Sequence, residues 1–286
     1  MKQVRTFLEM IKFEHTIFAL PFAYLGMVLA AGGWPTWWQF IWITLAMASA
    51  RTLAMAVNRA VDASLDAANP RTANRPIPRG EFSLQRTWLF AALSLAILTL
   101  AAWMLNAFVV RLLPFAVIAL IGYSYTKRFT WLSHFVLGIT DGAAAAGAWA
   151  AVAGNLSGPL PWLLWFAVTV WIAGFDLIYA CQDVEFDRRE GLYSIPARFG
   201  VAAALRLAQL CHLFTVLTLF LVGLLAPLGW PFWLGLALVC VLLAYEHSLV
   251  SPDDLSKVNL AFFTVNGYIS VIAFVATLVA LLVRSS

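Results

Sequence analysis

Charge is scarce in this chain. Only 11% of its 286 residues are Asp, Glu, Lys or Arg, while 63% are hydrophobic. Soluble domains carry about a quarter charged residues. The scarcity excludes an ordinary soluble domain and points to a polytopic membrane protein. Long polar stretches are lacking too: apolar spans fill the length and leave no room for a separate soluble domain. Cysteine is rare. Cys181, Cys211 and Cys240 lie in or at the ends of apolar segments, widely spaced and without a His/Cys ligand pattern. That argues for inert buried thiols over a disulfide or metal site. Lys2, Arg5 and Lys12 precede an apolar stretch and superficially resemble a secretory leader. The stretch runs on from about Ile17 to Ala31 and further spans follow, so it reads as a retained first span.

What is present is hydrophobic length. A span needs about 20 mostly apolar residues, and nine are expected, at roughly 15–33, 37–57, 87–106, 108–126, 131–153, 160–181, 202–225, 228–247 and 259–283. Turn chemistry separates them, as at Gly32-Gly33-Trp34-Pro35, the Gly154–Pro159 stretch, Pro227-Leu228-Gly229 and Ser251-Pro252. Trp34, Trp37, Trp38, Trp162, Trp230 and Trp233 cluster near these breaks, as an interfacial aromatic belt would. Nine spans place the N-terminus and loops 58–86, 127–130, 182–201 and 248–258 on one face. Sixteen of the eighteen Lys and Arg residues then fall on or near that face, leaving only Arg111 and Arg284 for the other. The positive-inside rule makes the rich face cytoplasmic.

The scarce acids are not scattered. Asn58, Asp62 and Asp66 recur at i, i+4, i+8, and Asp176, Asp183 and Asp187 at i, i+7, i+11, with Glu185 on the opposite side. Each set makes one strip of oxygen ligands on a helix near the cytoplasmic end of a span. Carboxylates at membrane depth are costly and mark function. Mg²⁺ prefers such oxygens and binds through one or two carboxylates plus substrate phosphates. The strips end spans two and six, and Asn74–Gly80 and Tyr193–Gly200 follow them with a shared Ile-Pro and Arg. Spans 1–4 and 5–8 therefore read as two parallel halves.

Basic residues complement the strips. Arg71, Arg75 and Arg79 recur every fourth residue after the first; Arg188, Arg189 and Arg198 follow the second; Lys127 and Arg128 end span four. Arginine grips phosphate with a planar fork, and lysine acts as a point charge. Arg86, Arg128 and Arg189 read as topogenic charges only. Pro70, Pro76 and Pro78 give the Arg71–Arg79 loop fixed turns. Tyr123 and Lys127 share a helix face. Asp141, among small residues in span five, faces the bundle interior, where Arg51 is a plausible cation for it or for an anionic substrate group. His15 and His212 read as structural.

These residues carry a family signature. NRAVDASLD resembles the NxxxDxxxD motif of the UbiA superfamily of intramembrane prenyltransferases. Asp183-xxx-Asp187 is similar to its DxxxD motif, and Tyr123-xxx-Lys127 to its YxxxK. TANRPIPRG resembles the loop after the first motif in 4-hydroxybenzoate polyprenyltransferases. Arg59 departs from many members, which have aspartate there. IKFEHTIFALPFA and YACQDVEFDRREGLYSIPARFG look most like a bacterial branch that includes menaquinone enzymes of the futalosine route. The resemblance implies a single all-α membrane domain over 1–286. Its helices would surround a central cavity capped by loops at about 58–86 and 182–201. It implies Mg²⁺-dependent transfer of a polyprenyl group from its diphosphate to an aromatic acid in quinone biosynthesis, at the inner membrane. The acceptor is expected to be 4-hydroxybenzoate or, alternatively, a naphthoate. Partners would be both substrates and the lipid bilayer, with no nucleic acid. Asn58, Asp62, Asp66, Asp183 and Asp187 would bind metal and diphosphate; Lys127, Arg71 and Arg75 would contact diphosphate; and Tyr123 would line the reacting centre. Arg51 would meet the acceptor carboxylate, with Asp141 and Asp176 at the acceptor end or in a supporting shell. A transporter of an anionic metabolite would also bury charges, but needs no carboxylates in two metal-like strips. A CDP-alcohol phosphotransferase pattern fails, because alanines follow Asp141-Gly142.

Overall fold

The computed structural model describes residues 6–7, 10 and 16–285. Lys2, Arg5, Lys12 and His15 lie outside the described residues. Nine long helices run through the described residues: α1 (Thr16–Ala31), α2 (Trp37–Val61), α4 (Leu84–Leu105), α5 (Ala107–Thr126), α6 (Ser133–Ala153), α7 (Leu160–Ala180), α10 (Val201–Leu225), α11 (Trp230–Ser248) and α12 (Asn266–Ser285). Short elements fill the connections: α3 (Ala63–Ala68), a 3₁₀ turn (Cys181–Asp183), α8 (Val184–Glu190), α9 (Ile195–Phe199) and a π-helical turn (Leu260–Val265). Eight of the long helices are long and apolar enough to cross a bilayer. Among the described residues the first, α1, covers 16 residues. The ends are set by local chemistry. Thr36 and Gln39 form a capping box at the start of α2, and Ser83 and Asn106 cap α4 and α5. At the far end of α6, Gly154 takes the left-handed conformation (φ 70°) that side chains disfavour.

Helix α2 lies along α4 and α5; α7 lies along α6 and α10; α1 packs on α6 and α12, and α11 on α12. One core gathers Phe22, Met27, Leu164, Trp171, Phe232 and Ile269. A second joins Phe7 and Met10 to Leu53, Val57, Phe82 and Leu120. Small residues bring backbones close where apolar burial gives no advantage over lipid. A Cβ on Gly26 would lie 2.1 Å from the carbonyl oxygen of Ala145, and one on Gly138 would lie 2.3 Å from that of Thr169. The outer surface is apolar: Trp103, Phe115 and Ile118 are 77%, 72% and 70% exposed. Trp34, Trp37, Trp38, Trp162 and Trp230 lie exposed at the helix ends. Trp233 instead packs inward on Phe220 and Phe232.

Gly26→Val will force α1 away from α6 and destabilise the protein by about 1–3 kcal/mol. The readout is a lowered midpoint in thermal unfolding followed by tryptophan fluorescence. Gly147→Ala, whose added Cβ meets nothing within 4 Å, will leave the midpoint unchanged.

Candidate active site

Both acidic strips begin on a long helix and turn at their central aspartate. Asp62 joins α2 to α3 with φ −92° and ψ 6°; Asp183 joins the 3₁₀ turn to α8 with φ −104° and ψ 8°. These are nearly the same bridge-region conformation, which many active-site residues adopt. The i→i−4 bonds continue through the first turn, from the Asp62 N–H to the Asn58 carbonyl (2.9 Å) and from the Asp66 N–H to the Asp62 carbonyl (2.7 Å). The second strip is an interrupted helix, not the continuous one its spacing predicts.

Between the strips lies a cavity of about 390 Å³. All twelve sequence-predicted site residues line it: Arg51, Asn58, Asp62, Asp66, Arg71, Arg75, Tyr123, Lys127, Asp141, Asp176, Asp183 and Asp187. The first loop carries the link between strips. Arg71 donates from Nε to Asp183 Oδ1 (2.9 Å) and from Nη2 to Asp183 Oδ2. Asn69 Nδ2 donates to the same carboxylate (3.0 Å). Arg71 Nη1 also donates to the Tyr179 hydroxyl (3.0 Å). Burial works to lower the Arg71 pKa, but its bonds to Asp183 raise it overall, so the guanidinium stays charged.

Each remaining acid has a defined partner. Asp62, 2% exposed, takes Lys127 on one oxygen and Arg128 Nη2 on the other (2.9 Å). Asp66 receives Arg75 Nη1 on both oxygens (2.7 and 2.8 Å), with Arg59 at 3.8 Å. Arg59 is itself buried and donates to the Asn58 side-chain carbonyl (3.3 Å). Asp187 accepts from the Ser194 hydroxyl (2.7 Å), which also caps α9. Asp176 meets His134 Nδ1 at 2.7 Å. The other ring nitrogen of His134 accepts from the Ile195 N–H (3.3 Å), so Nδ1 carries the proton. Arg51 lies 3.8 Å from Asp141. Tyr123 donates to the Ala54 carbonyl (3.2 Å).

The structure revises several sequence-based expectations. Arg128 is not merely topogenic: it bonds Asp62 and the Val61 carbonyl. Arg79, grouped with Arg71 and Arg75, pairs with Glu81 at the surface instead. Arg188 binds the Ala197 carbonyl, and Arg198 is exposed. Asn69, His134, Tyr179 and Ser194 escaped the sequence reading. Asn69 alone had a signal, as the turn residue before Pro70; the others meet their partners only through tertiary contact.

Among the described residues, no three His, Cys, Asp or Glu groups form a ready-made metal cluster. The donor set still suits a hard cation that binds with a polyphosphate. Carboxylates stand on both sides of one cavity, and Mg²⁺ takes one or two of them plus phosphate oxygens.

Residues 19–282 match the UbiA prenyltransferase family. The chain is 33% identical over 253 residues to a 4-hydroxybenzoate octaprenyltransferase of Xanthomonas euvesicatoria, covering 88% of this chain and 83% of the relative. It is 30% identical over 264 residues to that of Cupriavidus necator, covering 90% of each. The fold is similar to the apo structure of a UbiA homolog from Aeropyrum pernix, with TM-score 0.85 and 33% identity, over 93% of this chain and 98% of that one. It also resembles a UbiA homolog from Archaeoglobus fulgidus bound to DMAPP and Mg²⁺. There the TM-score is 0.66 and the identity 20%, over 94% and 99% of the two chains, a likeness of fold.

Arg71→Ala removes the bridge that holds the first loop to the second strip. Hydrogen bonds to charged groups are each worth about 1.5–3 kcal/mol, so amides near 69–75 will exchange at least roughly tenfold faster. Hydrogen-exchange mass spectrometry checks this, with Arg79→Ala as the silent control.

Proposed function

Because the chain belongs to the UbiA prenyltransferase family, we propose that it transfers a polyprenyl group from its diphosphate to an aromatic acid, 4-hydroxybenzoate. The observation that carries this reading is the cavity where two acidic helix tips are joined by Arg71. Five basic and six acidic side chains line that space. A site so nearly neutral stays closed on itself until a polyanion arrives. Lys127, Arg71 and Arg75 then exchange carboxylate for phosphate oxygens at little cost, since both are charge-assisted bonds. The carboxylates they release are Asp62, Asp66 and Asp183. With Asp187 and the Asn58 amide oxygen, these would hold Mg²⁺. The metal, when bound, supplies Lewis-acid stabilisation of the leaving diphosphate.

The remaining steps follow from chemistry. The allylic C1–O bond breaks and its electron pair leaves on the diphosphate, whose charge Lys127 and the arginines stabilise. The ring carbon ortho to the phenol bonds C1, and loss of the ring proton restores aromaticity. Trp171, Phe175 and Phe262 line the same cavity and shield the cation from water. Arg51 is assigned to the acceptor carboxylate, leaving Asp141 as its resting partner. Tyr123 lines the reacting centre, and Asp176, oriented by His134, supports the acceptor end. The prenyl tail leaves laterally into lipid. The 4-hydroxybenzoate octaprenyltransferases among the relatives support the choice of acceptor; the Mg²⁺ and DMAPP of the Archaeoglobus protein support the donor. The basic loops support a site at the cytoplasmic face of an inner membrane.

Asp62→Asn and Asp183→Asn will each cut turnover by at least about a hundredfold while the purified protein keeps its elution profile and helical content. Product formation is followed with radiolabelled geranyl diphosphate. EDTA will stop the reaction and Mg²⁺ restore it; activity persisting in chelator excludes the metal assignment. An acceptor panel of 4-hydroxybenzoate and naphthoates will show preference for 4-hydroxybenzoate. Arg51→Ala will raise its KM roughly tenfold or more.

A further inference from the structure

Helix α12 does not begin as an α-helix. Its entry, Leu260–Val265, is a π-turn, and such turns recur at functional sites. The turn is clamped by Asn266, which itself lines the cavity. Asn266 Nδ2 donates to the carbonyls of Ala261 (3.1 Å) and Phe262 (3.2 Å), and to Glu246 Oε1 from α11 (2.8 Å). Glu246 is 0% exposed and Asn266 2%. On its far side Glu246 faces His212 Nδ1 at 3.7 Å. His212 in turn contacts His247 at 2.9 Å and donates from Nε2 to the Trp171 carbonyl (3.3 Å). A carboxyl group so fully buried, in the last turn of α11, is expensive, yet none of the steps above employs it.

The clamp leads to the cavity. Phe262 and Phe263, inside the π-turn, line it. The Phe262 ring lies 4.2 Å from that of Tyr179 and 5.1 Å from that of Phe175. Tyr179 is the residue whose hydroxyl Arg71 grips while holding Asp183. An aromatic wall thus abuts the diphosphate end, where a cation at C1 would find π faces. We infer that Glu246 and Asn266 are positioning residues which, through the π-turn, hold Phe262 against Tyr179 as the wall that receives the allylic end of the prenyl chain. The inference rests on the functional reading above and adds to it the determinant of how the first isoprene unit is seated. Removing the Glu246 acceptor leaves the Asn266 amide anchored only to the Ala261 and Phe262 carbonyls and lets the turn relax towards an α-helix. That rotates Phe262 away and leaves the phosphate-binding groups in place.

The test compares two probes in Mg²⁺-containing buffer with protein in nanodiscs: geranyl thiolodiphosphate, which does not ionise readily, and inorganic diphosphate. Glu246→Leu and Asn266→Leu will weaken the geranyl probe about tenfold, the scale of losing one or two aromatic contacts. Both will bind inorganic diphosphate like the wild type. Glu246→Gln, which keeps an oxygen acceptor for Asn266, will match the wild type with both probes. Phe262→Leu, which leaves the clamp intact, will reproduce the selective loss and decides the matter if the leucine variants of the clamp do not fold. Equal weakening of both probes, or wild-type affinity for the geranyl probe in Glu246→Leu or Phe262→Leu, overturns the inference. A wild type that binds neither probe overturns the functional reading as well.

Discussion

Charge at the edge of an apolar bundle must be paired, and the rest of this structure answers to that constraint. Asp62, Asp66 and Asp183 sit at the tips of two long helices, and each is held by arginine or lysine from another element. Removing one partner from such a pair leaves a poorly solvated charge, a far larger penalty than the net worth of the pair. The ion pairs therefore act as locks that pull otherwise solvent-facing loops down onto the cavity. Arg71 pins the first loop to the second strip. The Tyr193 N–H, bonded to the Lys127 carbonyl (2.7 Å), pins the second loop to α5.

On the proposed reading, a polyanion would offer the basic groups an equivalent partner and free the carboxylates for a cation, so that ligand exchange would replace charge separation. The helices below are held by close backbone contacts such as Gly26 against Ala145. Asp62 and Asp183 share one backbone conformation, and the outer aspartates Asp66 and Asp187 both line the cavity.

Much of this was legible in one dimension. Hydrophobic length located the spans, because the bilayer demands about 20 apolar residues each time. Acid spacing located both strips, because helical periodicity converts spacing into a shared face. Asn69 was half-legible as a turn former. Arg128 was not, since an arginine that merely orients a span and one that clamps Asp62 look alike in sequence. His134 and Ser194 were invisible for a related reason: their partners, Asp176 and Asp187, are 42 and 7 residues away, and no local pattern signals the contact. The π-turn at Leu260–Val265 had no signal either. Its identity depends on Glu246, twenty residues earlier, supplying an acceptor to Asn266.

By itself the sequence determined the membrane class, the approximate number of spans and the two acidic strips, since all three follow from local composition and period. The pairing of each acid with its cation, the kinks that aim the strips, and the aromatic wall beside Arg71 were decided only by tertiary structure. Those features are contacts between helices distant along the chain. Their geometry depends on how neighbouring backbones approach, which no single stretch of residues encodes.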